Sequence, residues 1–242
     1  MERREISVGP HVASRRPFHD RTASGRELAW EVRREVGTDD GVAVFGLPRS
    51  GVPVAAAVAD ELGAGLDVVL VRRLTVPDRV DLGMGALGEG GVRVLTREVL
   101  DAAQVSAEAI TAAERRERVE LQRQAACYRR GAEPANVRDN VCVVVDDAIV
   151  TGGTMRAAVR VLRVLGARRI VLAAPVGAAD AISALRAEGV DVVVVAGPAE
   201  LRSTSSWYRC FPAVSDDEVV ELLSAGRRSR LSAHSSALPS LP

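Results

Sequence analysis

The sequence predicts an α/β fold in which a central parallel sheet carries helices on both faces. Short β-branched runs alternate along the chain with helix-length amphipathic segments, the rhythm of repeated strand–helix–strand units. Of the 242 residues, 47% are hydrophobic but only 3% aromatic, so the core must be built from Val, Leu, Ala and Ile. That composition suits buried strands under Ala-rich helices better than an all-β or disulfide-stapled fold. The length favours one large domain, expected over residues 17–225, between an N-terminal extension at 1–16 and a tail at 226–242 too poor in apolar periodicity to pack.

The first element is "FHDRTASGRELAWEVRREVG", an amphipathic helix with Leu28, Ala29, Val32 and Val36 toward the core. Strands are predicted at Val42–Leu47, Leu66–Arg72, Val141–Asp146, Ile170–Val176 and Val190–Ala196. Helices fall between them at Val52–Leu62, Thr154–Leu165 and Ala179–Glu188, with Gly63, Gly166 and Gly189 as stops. Thr96–Arg130 reads as helical, capped by Thr96 and stopped by Gly131, and its block "AAERRERVELQRQ" as a solvated face. The stretch Thr75–Gly91, "TVPDRVDLGMGALGEGG", is Gly-rich and too long for an ordinary connection; a flexible lid loop is expected there. Its Gly83, Gly85 and Gly88 match GxGxxG, but without a preceding strand and following helix the dinucleotide reading fails.

Charge and composition exclude several classes of function. The 32 basic and 32 acidic residues cancel, so no global field recruits nucleic acid or an anionic membrane. No window reaches the roughly 18 apolar residues of a membrane span, and "MERREISVGP" lacks the apolar stretch of a secretory leader, so a cytoplasmic location is expected. The cationic residues are all Arg, which removes Lys-based covalent catalysis. Cys127, Cys142 and Cys210 are far apart, without zinc or disulfide spacing, and are expected to be reduced thiols. His11, His19 and His234 lie outside every motif.

The stretch "VCVVVDDAIVTGGTM" holds the strongest chemical signal. An apolar strand ends in Asp146 and Asp147 and is followed by the loop Val150, Thr151, Gly152, Gly153 and Thr154, which leads into a helix. Ligands of a parallel sheet sit beyond the carboxyl ends of its strands, and a Gly-rich turn at a helix N-terminus suits phosphate. A ribose 5-phosphate satisfies both features: its 2- and 3-hydroxyls can donate to Asp146 and Asp147 while the loop takes its phosphate. In "VFGLPRSGVPVA" a second strand–turn–helix anion site runs through Pro48, Arg49, Ser50 and Gly51. Arg72 and Arg73 in "VVLVRRL" should point to opposite sides of their strand, and Arg73 is the better candidate for the ligand side. Trp207 and Tyr208 could stack an acceptor base or fill the edge of the core.

The run "VVVDDAIVTGGT" resembles the phosphoribosyl pyrophosphate (PRPP) motif of type I phosphoribosyltransferases, and most of residues 18–223 resembles a bacterial subfamily of predicted phosphoribosyltransferases. This resemblance implies a parallel sheet with a small hood, and Mg2+-bound PRPP as donor. It makes Pro48–Gly51 the pyrophosphate loop, where the subfamily usually has a second Gly at Ser50. It makes Arg72 and Arg73 the counterparts of an Arg-Lys pair that reaches the pyrophosphate. In place of the subfamily's usual Gly-Ala-Pro-Gly-Asn-Pro-Glu stands "TVPDRVD", and Ser205 and Cys210 stand where relatives tend to have Gly and Asp around the aromatics.

The expected reaction is transfer of a phosphoribosyl group to a small-molecule acceptor, a nucleobase first of all. Asp147 and Arg73 are the catalytic candidates, Asp146 and Asp147 the carboxylates open to magnesium, and Trp207 and Tyr208 the candidates for the base. Stabilisation of the departing anion is then the main catalytic task. A noncatalytic PRPP or nucleotide-binding regulator on the same fold is the alternative, and a ribose-phosphate phosphohydrolase a further one. Symmetry alone favours a homodimer for such chains.

Overall fold

A computed structural model of the chain describes residues 17–39 and 41–236, with side chains as far as Gly226. Its elements run α1 (Arg21–Val36), β1 (Val42–Gly46), α2 (Gly51–Leu62), β2 (Gly65–Val68), β3 (Val71–Val76), β4 (Arg79–Gly88), β5 (Arg93–Leu95), α3 (Arg97–Ala102), α4 (Ala107–Arg129), β6 (Val141–Val145), α5 (Gly153–Val164), β7 (Arg169–Val176), α6 (Ala179–Ala187), β8 (Asp191–Ala196) and α7 (Asp216–Ser236). Five strands form a parallel sheet in the order β2-β1-β6-β7-β8. Three more, β3-β4-β5, form a separate antiparallel sheet that serves as the hood.

The two faces of the central sheet follow from strand alternation. Along β6, Val141, Val143 and Val145 pack with Leu28 and Val32 of α1 and Val52 and Val58 of α2. Cys142 and Val144 turn to the other face, against Ala158 and Leu162 of α5 and Leu185 of α6. Covered on both sides, β6 needs no polar residue, and all five of its residues are fully buried. Leu28, with 0% exposure, contributes about 2 kcal/mol by this burial. Asp20 caps α1, its carboxylate accepting from Ala23 N–H at 2.8 Å. Gly63, Gly166 and Gly189 follow their helices with positive φ, as expected of stops.

The apolar run Leu66–Arg72, expected as one strand, is divided. The chain leaves the central sheet after Val68 and re-forms as β3 in the hood, so Arg72 and Arg73 lie within β3 rather than closing a core strand. Hydropathy conceals the crossing because Leu66 through Val71 are all buried.

Thr75–Gly91 is likewise not a lid loop. It completes β3, turns at Pro77 and Asp78, and returns as β4. Its glycines serve close packing: a Cβ on Gly85 would strike the Val94 carbonyl of β5, and one on Gly88 would lie 2.5 Å from Val161 Cγ1 of α5. Further on, α7 continues to Ser236, into the tail expected to lack structure. Residues 1–16 and 237–242 lie outside the described residues.

Candidate functional site

The parallel register brings the two anion-site loops together. Gly46 at the end of β1 pairs with Val145 at the end of β6, and Leu47 N–H donates to the Val145 carbonyl at 2.9 Å. The Pro48–Gly51 turn and the Asp146–Thr154 segment therefore leave the sheet side by side. At Gly51 they touch: a Cβ there would stand 2.6 Å from the Val145 oxygen and 3.1 Å from Asp146 Oδ1, so only Gly fits. Arg49 is exposed on this turn, and the Pro48–Arg49 peptide is cis.

The second loop ends in the N-terminus of α5. Gly152 is its N-cap at φ 73°, a left-handed conformation that favours Gly, and no side chain makes a capping hydrogen bond there. The first helical hydrogen bond there runs from Arg156 N–H to the Gly152 carbonyl at 2.9 Å. The amides of Gly153, Thr154 and Met155 precede it and present donors at the positive end of the helix dipole. Thr151 and Thr154 are exposed beside them, and Val150 is 46% exposed. Chemically, amides at a helix N-terminus suit an anion.

The acidic pair divides in two directions. Asp146 sits partly buried at the strand end, its Oδ1 accepting from the Asp147 N–H at 2.9 Å. Burial, with Asp147 adjacent, raises its pKa well above the usual carboxylate range. Asp147 turns inward instead: its Oδ2 accepts from Arg21 Nε at 3.2 Å, and its side chain is only 11% exposed. Two carboxylates facing one ligand were expected; in the structure Asp146 is partly buried at the strand end and the Asp147 carboxylate pairs with Arg21. The ribose, metal and catalytic roles expected of Asp147 would call on a carboxylate that Arg21 already engages through one oxygen.

Arg72 and Arg73 point to opposite sides of β3, as alternation requires. Arg72 pairs with Glu117 of α4 at 2.8 Å. Arg73 lies over the second loop, its Cδ and Cζ each 3.4 Å from where a Cβ on Gly153 would be, and it donates to the Val80 carbonyl. The hood thus brings a guanidinium to the helix N-terminus that presents the amides.

With this geometry in view, three comparisons bear on the family. Residues 18–211 match the family described as Phosphoribosyl transferase domain. The chain belongs to the phosphoribosyl transferase domain family. Two Mycobacterium tuberculosis proteins, "Putative phosphoribosyl transferase Rv0571c" (strain H37Rv) and "Putative phosphoribosyl transferase MT0597" (strain CDC 1551), are each 43% identical over 211 residues, 87% of this chain. The match takes in 47% of each, so the chain spans about half the length of these curated relatives. Among solved structures, TT1426 from Thermus thermophilus is 36% identical, with a TM-score of 0.78 over 86% of this chain and 97% of that one.

Within this phosphoribosyl transferase domain the two aromatics separate. Tyr208 is buried: its hydroxyl donates to the Asp147 carbonyl at 2.7 Å and its ring lies 4.9 Å from Phe211 and 5.7 Å from Phe18. A ring packed on these neighbours cannot also stack a base, so Tyr208 is a core residue. Trp207 is half-buried against a cluster that includes Ala148 and Leu201 and keeps a partly open face. The three cysteines are free thiols: Cys142 is buried, Cys127 half-buried and Cys210 exposed, and burial raises the Cys142 pKa to about 11.

Among the described residues no group of three His, Cys, Asp or Glu side chains is placed to hold a metal. A magnesium ion held chiefly by substrate oxygens and water would need at most one or two protein carboxylates. Asp146, beside the Pro48–Gly51 turn, is a carboxylate that could supply that contact.

Arg21 was missed in the sequence. It lies on the same helical stripe as Leu28 and Val32, and an arginine on a buried stripe requires a carboxylate partner. That stripe position was the available signal.

Proposed function

We propose that this domain transfers a 5-phosphoribosyl group from Mg2+-bound PRPP to a small-molecule acceptor, a nucleobase first of all, with release of pyrophosphate. One observation carries the reading: Asp146 stands between two uncapped strand–turn–helix loops whose contact at Gly51 and Asp146 leaves one continuous rim. PRPP offers a diol between two anionic groups, and the rim offers a carboxylate between two anion sockets.

In this reading Val150–Thr154 bind the 5-phosphate through the α5 amides, and Asp146 accepts from the ribose diol. Pro48–Gly51, with Arg49, bind the pyrophosphate. Arg73 adds positive charge from the hood, next to the 5-phosphate loop and open to the pyrophosphate. The C1–O bond breaks with its electron pair leaving on pyrophosphate, the acceptor's lone pair forms the new bond to C1, and a proton leaves the acceptor. Held donors stabilise the departing charge without rearranging during the reaction. Magnesium, when bound, supplies further neutralisation of the pyrophosphate oxygens.

In this reading Trp207 meets the acceptor with its open face. The reading is tested by offering Mg2+ and PRPP with adenine, guanine, hypoxanthine, uracil and orotate and measuring inorganic pyrophosphate. Release that depends on one base is expected. Saturable PRPP binding without release with any base would point to a regulator, and orthophosphate release to a phosphohydrolase.

A further inference from the structure

The buried Arg21 belongs to no loop that meets the ligand, yet it ends on the acidic pair. Its residue is 7% exposed. Nε donates to Asp147 Oδ2 at 3.2 Å, Nη1 donates to the Pro212 carbonyl at 2.7 Å, and the guanidinium carbon stacks 3.8 Å over the Phe211 ring. Asp147 is held from a second side, where Tyr208 donates its hydroxyl to the Asp147 carbonyl at 2.7 Å. The Asp147 peptide in turn donates its N–H to Asp146 Oδ1 at 2.9 Å. A chain of contacts therefore runs from α1, through Asp147, to one oxygen of the carboxylate at the rim.

We propose that Arg21 is a positioning residue: through Asp147 it fixes the peptide that orients Asp146, so that one carboxylate oxygen stays on the Asp147 N–H and the other is left for the sugar. The inference rests on the PRPP reading of the site. An arginine is needed because the contact is a planar fork stacked on an aromatic face, which an ammonium cannot reproduce. Arg21 itself touches no part of the proposed ligand position; its influence is on the orientation of Asp146.

The test is a double-mutant cycle between residues with no direct contact, Arg21 and Asp146, read by calorimetric titration with Mg2+-PRPP. Arg21→Gln is expected to weaken PRPP binding about tenfold, the scale of one charge-assisted hydrogen bond, and to add nearly nothing in the Asp146→Asn background. Arg21→Lys should recover only part of the loss. Equal weakening by Arg21→Gln in both backgrounds, or none in the wild-type background, overturns the proposal. Should Arg21→Gln fail to fold, the neutral pair Arg21→Gln with Asp147→Asn leaves no unpaired buried charge, and it too should lose affinity about tenfold; wild-type affinity in that pair contradicts the positioning role. If the wild-type protein does not bind PRPP at all, or Asp146→Asn binds as well as wild type, the functional reading fails instead.

Discussion

Arg73 of the hood lies across Gly153 at the start of α5, its Cδ and Cζ 3.4 Å from the place a Cβ would occupy. Glycine here serves the close approach of a charged side chain, since Gly153 opens α5 without a positive φ. Gly153→Ala should therefore separate stability from binding. Ala is the better helix former, by up to about 1 kcal/mol, and the flexible Arg73 can move aside. Thermal melting should stay at or slightly above the wild-type value while calorimetry with Mg2+-PRPP shows weaker binding.

The two hood arginines should behave differently. Arg73→Ala removes the cation at the site and is expected to lower PRPP affinity at least tenfold at low salt. Arg72→Ala removes a partly exposed pair with Glu117, worth no more than about 1 kcal/mol, and should leave affinity unchanged. The two titrations run side by side distinguish them.

Asp146 gives the unliganded protein a pH dependence of definite sign. Its folded pKa is raised by burial and by Asp147, so the unfolded chain releases the proton more readily than the folded one. The contribution of this carboxyl is fully present below its unfolded pKa of about 4 and is lost as pH rises through the raised folded value. The melting temperature of wild type minus that of Asp146→Asn should therefore fall as pH increases over that window. A constant difference would show that Asp146 is solvated like an ordinary surface acid.

Away from the site, Arg129 ties α4 to the core and the hood. It pairs with Asp67 of β2, which is 4% exposed, and with Glu89 just beyond β4 at 2.6 Å, and it donates to the Val68 carbonyl at 3.2 Å. Arg129→Met leaves Asp67 buried without its cation and should cost about 3 kcal/mol in urea unfolding. PRPP affinity of the folded fraction should be unaffected.

The strand end, its two aspartates and the Gly-rich turn into α5 were legible in the sequence because they are contiguous. Alternation alone separated Arg73 from Arg72, although both belong to the hood. The partner of Asp147 was not legible, since Arg21 lies 126 residues away and ion pairing across a fold leaves no local pattern. The hood hairpin was misread for a related reason. Gly83, Gly85 and Gly88 lower strand propensity, and the clearance that Gly85 gives β5 and Gly88 gives α5 exists only once those neighbours are in place. Tyr208 followed the same rule: its chemistry admits a base platform or a core ring, and the packing around it decides.

A crystal soaked with Mg2+ and PRPP tests the central claim most directly. The 5-phosphate should lie on the amides of Gly153 and Thr154, the ribose diol within hydrogen-bonding distance of Asp146, and the pyrophosphate on the Pro48–Gly51 turn. PRPP bound elsewhere, or bound here with Asp146 turned away from the sugar, would contradict the account.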